Sequence, residues 1–134
     1  MQWVRFTHDG TLKVGTLDND IVVVQSGSMF QGPVPTGEVL EPADVTFLAP
    51  VDPGKIIGLA NNYHALIEKA GGSVPEEPLY FIKVNTSLHQ GGVPITRPKR
   101  YTGKIIFEGE LGLVIGRTCR DVSSEDALAC LFGC

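Results

Sequence analysis

The chain predicts a β-rich α+β fold with short helices, and three observations carry that reading. The first thirty residues alternate apolar and polar side chains in short runs separated by turn residues. Brief Val- and Ile-rich runs recur further on, bounded by Gly, Pro, Asn or Asp. Helical spacing is confined to two short segments near residues 64–70 and 123–132.

Residues 3–6 and 12–17 alternate, and residues 21–24 form a short apolar run. His8-Asp9-Gly10 and Asp18-Asn19-Asp20 supply turn chemistry between them, so a small N-terminal β-meander domain is expected over residues 1–40. Residues 26–54 carry much of the Gly and Pro, with one strand-like island at 45–48, and predict a linker, its core at 41–54. A main domain is expected over 55–134. It begins with a buried-type strand at 55–59, which passes through Asn61-Asn62-Tyr63 into a helical pattern at 64–70 that Gly71-Gly72 stops. Pro75-Glu-Glu-Pro78 is a turn and residues 79–84 a strand. A Gly/Pro-punctuated loop region follows over 87–98, with a short strand at 93–96. The run Lys104-Ile-Ile-Phe-Glu-Gly-Glu-Leu-Gly-Leu-Val-Ile-Gly116 reads as another strand. After a connection at 117–122, Ser123-Ser-Glu-Asp126 is a Ser-x-x-Asp cap opening a helix over 127–132.

At 134 residues the chain is one domain of ordinary size or a compact fragment of a larger one. The net charge of -4 comes with scattered rather than clustered Lys and Arg, which argues against nucleic acid as a partner. The densest basic run, Arg97-Pro-Lys-Arg100, reads as a solvated loop. No apolar run reaches membrane-spanning length and the N-terminus lacks the order of a secretion signal, so no membrane partner and a cytoplasmic location are expected. Cys119, Cys130 and Cys134 suggest neither a disulfide framework nor a metal site.

Glu108-Gly-Glu110 is the strongest chemical signal. On a strand these two side chains share a face, where the carboxylates repel each other and lose hydration unless a hard divalent cation sits between them. The pattern alone is equally met by a strand with one wet face. Lys83, inside an otherwise apolar or aromatic strand, is either snorkelling outward or facing a cleft, with Asn85, Thr86 and Ser87 just beyond it. His64 and Glu68 lie one helical turn apart, the spacing of an imidazole–carboxylate pair and equally of surface decoration.

In their order along the chain, four segments together resemble the fumarylacetoacetate hydrolase family. They are Ile56-Ile-Gly-Leu-Ala-Asn-Asn-Tyr-His64, Pro75-Glu-Glu-Pro-Leu-Tyr-Phe-Ile-Lys83, Phe107-Glu-Gly-Glu-Leu-Gly-Leu-Val-Ile-Gly116 and Val122-Ser-Ser-Glu-Asp-Ala-Leu-Ala-Cys-Leu-Phe-Gly133. The resemblance covers about residues 41–134, and the meander is similar to that family's small N-terminal domain. It implies the first part of a mixed β-roll carrying a divalent cation, Mg2+ or else Mn2+ or Ca2+. It also implies chemistry on a small 2-oxo acid (C–C hydrolysis, decarboxylation or isomerisation) and a homodimeric full-length parent. By the same resemblance Glu108 and Glu110 are two of three carboxylate metal ligands. Lys83 binds the oxo-acid end of the substrate, with Tyr63, Asn85 and Thr86 as further contacts, and His64 with Glu68 forms a general-base dyad on a lid. In the common pattern the dyad is spaced by three, with its histidine where this chain has Leu66. The family's third ligand, an aspartate, and the closing strands follow the Phe-Gly element, so the resemblance implies the N-terminal part of a longer protein, inactive by itself. Failing that, Asp121 or Asp126 is the third ligand. The alternative is a catalytically silent fragment that pairs with another chain.

Overall fold

The computed structural model describes residues 1–134 and orders them into nine strands and two short α-helices. Strands β1 (Gln2–His8), β2 (Thr11–Asp18) and β3 (Ile21–Ser26) form the expected antiparallel meander. Its two turns place Asp9 and Gly10, then Asn19 and Asp20, at positive φ, the conformation that twists a two-residue hairpin with its strands. Strand alternation sends Phe6, Val22 and Val24 to one face, where they are buried with Val4, Leu17, Leu40, Val45 and Phe47 packed around them.

Residues 26–54 depart from the linker expectation. Strand β4 (Val34–Leu40) pairs with β3 across a bulge, and β5 (Thr46–Phe47) pairs with β1, giving the order β4-β3-β2-β1-β5. Pro35 is tolerated because β4 is an edge strand, and Gly37 at φ +87 absorbs the irregularity.

Strands β6 (Ile56–Ala60) and β7 (Leu79–Lys83) form a second antiparallel pair, connected through helix α1 (His64–Lys69). Their register puts Ile56, Gly58, Ala60, Leu79, Phe81 and Lys83 on one face. The Phe81 ring lies across Gly58 so closely that a β-carbon there would come within 2.5 Å of it. Helix α1 starts where the Tyr63 carbonyl accepts from the backbone N–H groups of Leu66 and Ile67, and it ends at Ala70 before Gly71 at φ +69. Ile67 is its one buried residue.

The last unit pairs β8 (Val114–Ile115) with β9 (Leu131–Gly133) around helix α2 (Ser124–Ala127). The Ser123 hydroxyl accepts from the Asp126 N–H, the cap that the sequence predicts. The expected helix over 127–132 ends early, in a 3-10 turn at Leu128–Cys130, because Leu131 pairs with Ile115 and Gly116 donates to the Cys130 carbonyl at 2.9 Å. Two other expectations are corrected. Residues 93–96 form no strand, and of the run 104–116 only Val114–Ile115 enters a ladder. Apolar, β-favouring composition does not make a strand without a neighbouring strand to bond, and none of residues 1–134 lies beside 104–113 in that way.

Phe132 joins the N-terminal sheet to this last unit. Its ring meets Phe30 edge-on at 4.7 Å and Trp3 at 5.9 Å. Phe132→Ala should therefore lower stability by roughly 2 kcal/mol, less than for a fully buried phenylalanine because Phe132 is partly exposed. A denaturant titration measures this, and the loss should appear as earlier release of Trp3 fluorescence.

The chain leaves much of its surface uncovered. A compact monomer of 14.4 kDa exposes about 6,800 Å², whereas these residues expose 10909 Å² and only 8 of 134 are buried. The most exposed large apolar side chains beyond the first sheet include Tyr80, Ile82, Ile95, Ile106, Phe107 and Leu111.

Candidate active site

Lys83, at the end of β7, directs its ammonium toward the carboxylate segment. Its Nζ is 3.6 Å from Glu110 Oε2 and 5.7 Å from the centre of the Phe81 ring, two positions back on the same face. The pair is about half exposed, at 41% and 47%, so it contributes at most about 1 kcal/mol to stability and matters for where the charges sit. A second tie comes from Tyr63, whose phenol oxygen accepts from the Leu111 backbone N–H at 3.4 Å. Glu110 is thus flanked by contacts from β7 and from the start of α1. Glu108 is exposed and makes no hydrogen bond or ion pair. With no ladder under residues 104–113, strand alternation does not hold Glu108 and Glu110 on one face.

His64 and Glu68 are both exposed on α1 and make no hydrogen bond or ion pair with one another. His64 lines a shallow pocket of about 170 Å³ together with Asn61, Asn62, Glu76 and Glu77. The glutamates come from the Pro75-Glu-Glu-Pro78 turn, to which the sequence reading assigns no role in the site. The Asn85 amide donates to the carbonyls of Pro53, at 2.6 Å, and Gly54, at 3.4 Å, so its NH2 group fastens the segment before β6. Thr86 is exposed in the 3-10 turn Asn85–Ser87. The structure therefore brings together Lys83, Glu110 and Tyr63, and leaves His64 and Glu68 on the neighbouring helix.

The donor chemistry of Glu108 and Glu110 fits a hard, oxygen-seeking cation. No group of three or more His, Cys, Asp or Glu side chains converges anywhere in the chain. Asp121 lies 3.4 Å from Arg120, and Asp126 is engaged with Ser123 in the α2 cap. These residues would therefore supply part of a coordination sphere.

Cys119, exposed in the 117–122 connection, has its thiol held above the ordinary range, chiefly by hydrogen bonding with the Cys130 thiol, against the opposing pull of Arg117. Since the thiolate is the reactive form, Cys119 should alkylate more slowly than an unstructured cysteine near neutral pH and approach it as pH rises. Peptide mapping after timed iodoacetamide exposure checks this.

Two family models cover the chain: "Rv2993c-like, N-terminal" over residues 1–50 and "Fumarylacetoacetate (FAA) hydrolase C-terminal" over residues 55–134. Protein Rv2993c of Mycobacterium tuberculosis is 38% identical over 104 residues, 78% of this chain and 39% of that protein. A 2,4-didehydro-3-deoxy-L-rhamnonate hydrolase from a Sphingomonas species is 31% identical across 99% of this chain and 50% of its own length. Among solved structures, 5-carboxymethyl-2-hydroxymuconate delta-isomerase from Mycobacterium smegmatis superposes with a TM-score of 0.84 at 30% identity, over 99% of this chain and 52% of that one. The chain spans about half the length, or less, of these relatives.

Proposed function

Because this chain belongs to the fumarylacetoacetate hydrolase family, whose relatives here include a hydrolase and an isomerase, we propose that it forms part of a divalent-metal-dependent enzyme acting on 2-oxo acids. The observation that carries the reading is the approach of Lys83 to Glu110, a cation set beside a carboxylate at the edge of an otherwise apolar strand pair.

In this reading Glu108 and Glu110 hold the cation, Mg2+ or alternatively Mn2+ or Ca2+, through oxygen. When bound, the ion supplies Lewis acidity at the substrate's 2-oxo-carboxylate. Lys83 serves two ends: it offsets the carboxylate charge in the free protein and binds the anionic end of the substrate when that arrives. His64 sits on a helix of under two turns that buries a single side chain, and such a helix is stable only through packing, so it can shift toward bound substrate. There the imidazole takes a proton from the attacking water or from substrate carbon, and Glu68 orients it. The remaining ligand, the strands that close a mixed β-roll and the cover for the exposed apolar surface come from further polypeptide, in a homodimeric assembly. The exposed surface and the missing third donor also favour a second reading, a silent subunit that completes its fold on another chain.

The test uses protein of native length against acylpyruvates, oxaloacetate and a 2-hydroxymuconate-type dienoate, with Mg2+ and with EDTA. Turnover of one class, lost in EDTA and restored by Mg2+, is expected. Absence of turnover on every class would leave the silent-subunit reading.

A further inference from the structure

Residues 104–113 donate a single backbone hydrogen bond to the rest of the protein, from Leu111 N–H to the Tyr63 phenol oxygen, 48 positions away in the chain. We propose that Tyr63 is a positioning residue, anchoring the backbone of the carboxylate segment to the start of α1 so that Glu110 and His64 are held as one unit.

Both ends of this link are constrained. The Tyr63 carbonyl accepts from Leu66 N–H at 3.0 Å and Ile67 N–H at 3.1 Å, so its backbone is the first fixed point of α1. Its φ of -107 and ψ of 113 are extended, outside the helix. The side chain reaches Leu111, the residue after Glu110, while His64 is the residue after Tyr63. Two short covalent steps and one hydrogen bond thus connect the Glu110 carboxylate to the His64 imidazole. On the other side Glu110 is met by Lys83 at 3.6 Å. Lys83 acts on the carboxylate through charge, which screens and tolerates many geometries, whereas the phenol acts on the main chain, which sets where the carboxylate begins. A phenol suits this use because its long planar side chain has few torsions to freeze. The inference rests on the proposed metal role of Glu110 and assigns Tyr63 to the scaffold, in place of the direct substrate contact that the sequence suggests.

Tyr63→Phe in native-length protein tests it, since the ring is kept and only the acceptor oxygen lost. Amide exchange at Leu111 should speed up about fivefold to tenfold, the worth of one net hydrogen bond. Mn2+ binding should weaken about tenfold, in the range seen when groups that orient metal ligands are removed. The expected kinetic change is a lower kcat with KM nearly constant and Tm unaltered. Unchanged Leu111 exchange overturns the anchor, and if KM rises at the same time Tyr63 touches substrate instead. Faster exchange with unaltered Mn2+ affinity overturns its role in positioning the carboxylate. Should the wild type bind no Mn2+, the metal reading fails separately, and Leu111 exchange still decides the anchor.

Discussion

Glu108→Gln and Glu110→Gln should each lower turnover of a 2-oxo acid in the native-length protein by about a thousandfold or more. Glutamine keeps the size and one oxygen of the side chain and removes its negative charge. A hard divalent cation sheds hydration water only for ligands that repay it electrostatically, so losing one of a small set of carboxylates weakens both affinity and geometry. Glu110→Gln carries a second consequence because Lys83 Nζ lies 3.6 Å from that carboxylate. Without its partner the ammonium should bind free oxo-acid or other anions more readily, lowering the apparent KM for substrate even as kcat collapses. Lys83→Ala should behave differently, losing turnover far more than Mn2+ affinity. Calorimetric titration with Mn2+, run beside steady-state kinetics on the three variants, separates the roles. Kinetics unchanged in either glutamine variant would remove the carboxylate pair from the site.

Residues 1–134 isolated from any other polypeptide should self-associate and bind hydrophobic dyes strongly. The exposed area exceeds that of a compact monomer by roughly 4,000 Å², as much as or more than most obligate interfaces bury in total. Phe107 is 96% exposed, and both faces of the β6–β7 pair carry uncovered apolar side chains. A two-stranded ribbon is marginal in water even with one face covered, and its open edges are templates for further pairing. The first sheet should survive because Phe6, Val22 and Val24 are buried by residues within 1–50. Limited proteolysis of the isolated chain should accordingly cut in the region 86–113 and spare residues 1–47. Sedimentation as a single monomeric species with no dye binding would contradict this.

Part of the molecule was legible from local chemistry. The meander followed from alternation plus Asp-Gly and Asn-Asp turns, because strand spacing and positive-φ tolerance are properties of a few adjacent residues. The Ser123 cap and the stop of α1 at Gly71 followed for the same reason. So did the family, since the order of four short segments is a property of the chain itself. What involves distant residues was not legible. Pro35 and Gly37 argue against a strand locally, yet β4 forms because β3 offers an open edge on which they can be accommodated. Residues 104–113 argue for a strand locally and form none, because a ladder needs a second chain segment beside it. Phe132 reads as helical and is instead held extended by β8 and the rings of Trp3 and Phe30. The site follows the same division. Sequence named Lys83, Glu110 and Tyr63 as chemically capable residues, but only the folded arrangement put the ammonium against one carboxylate rather than both and gave the phenol to a backbone N–H. Residue type sets what a group can bond, whereas which partner it meets depends on contacts between residues far apart in the chain.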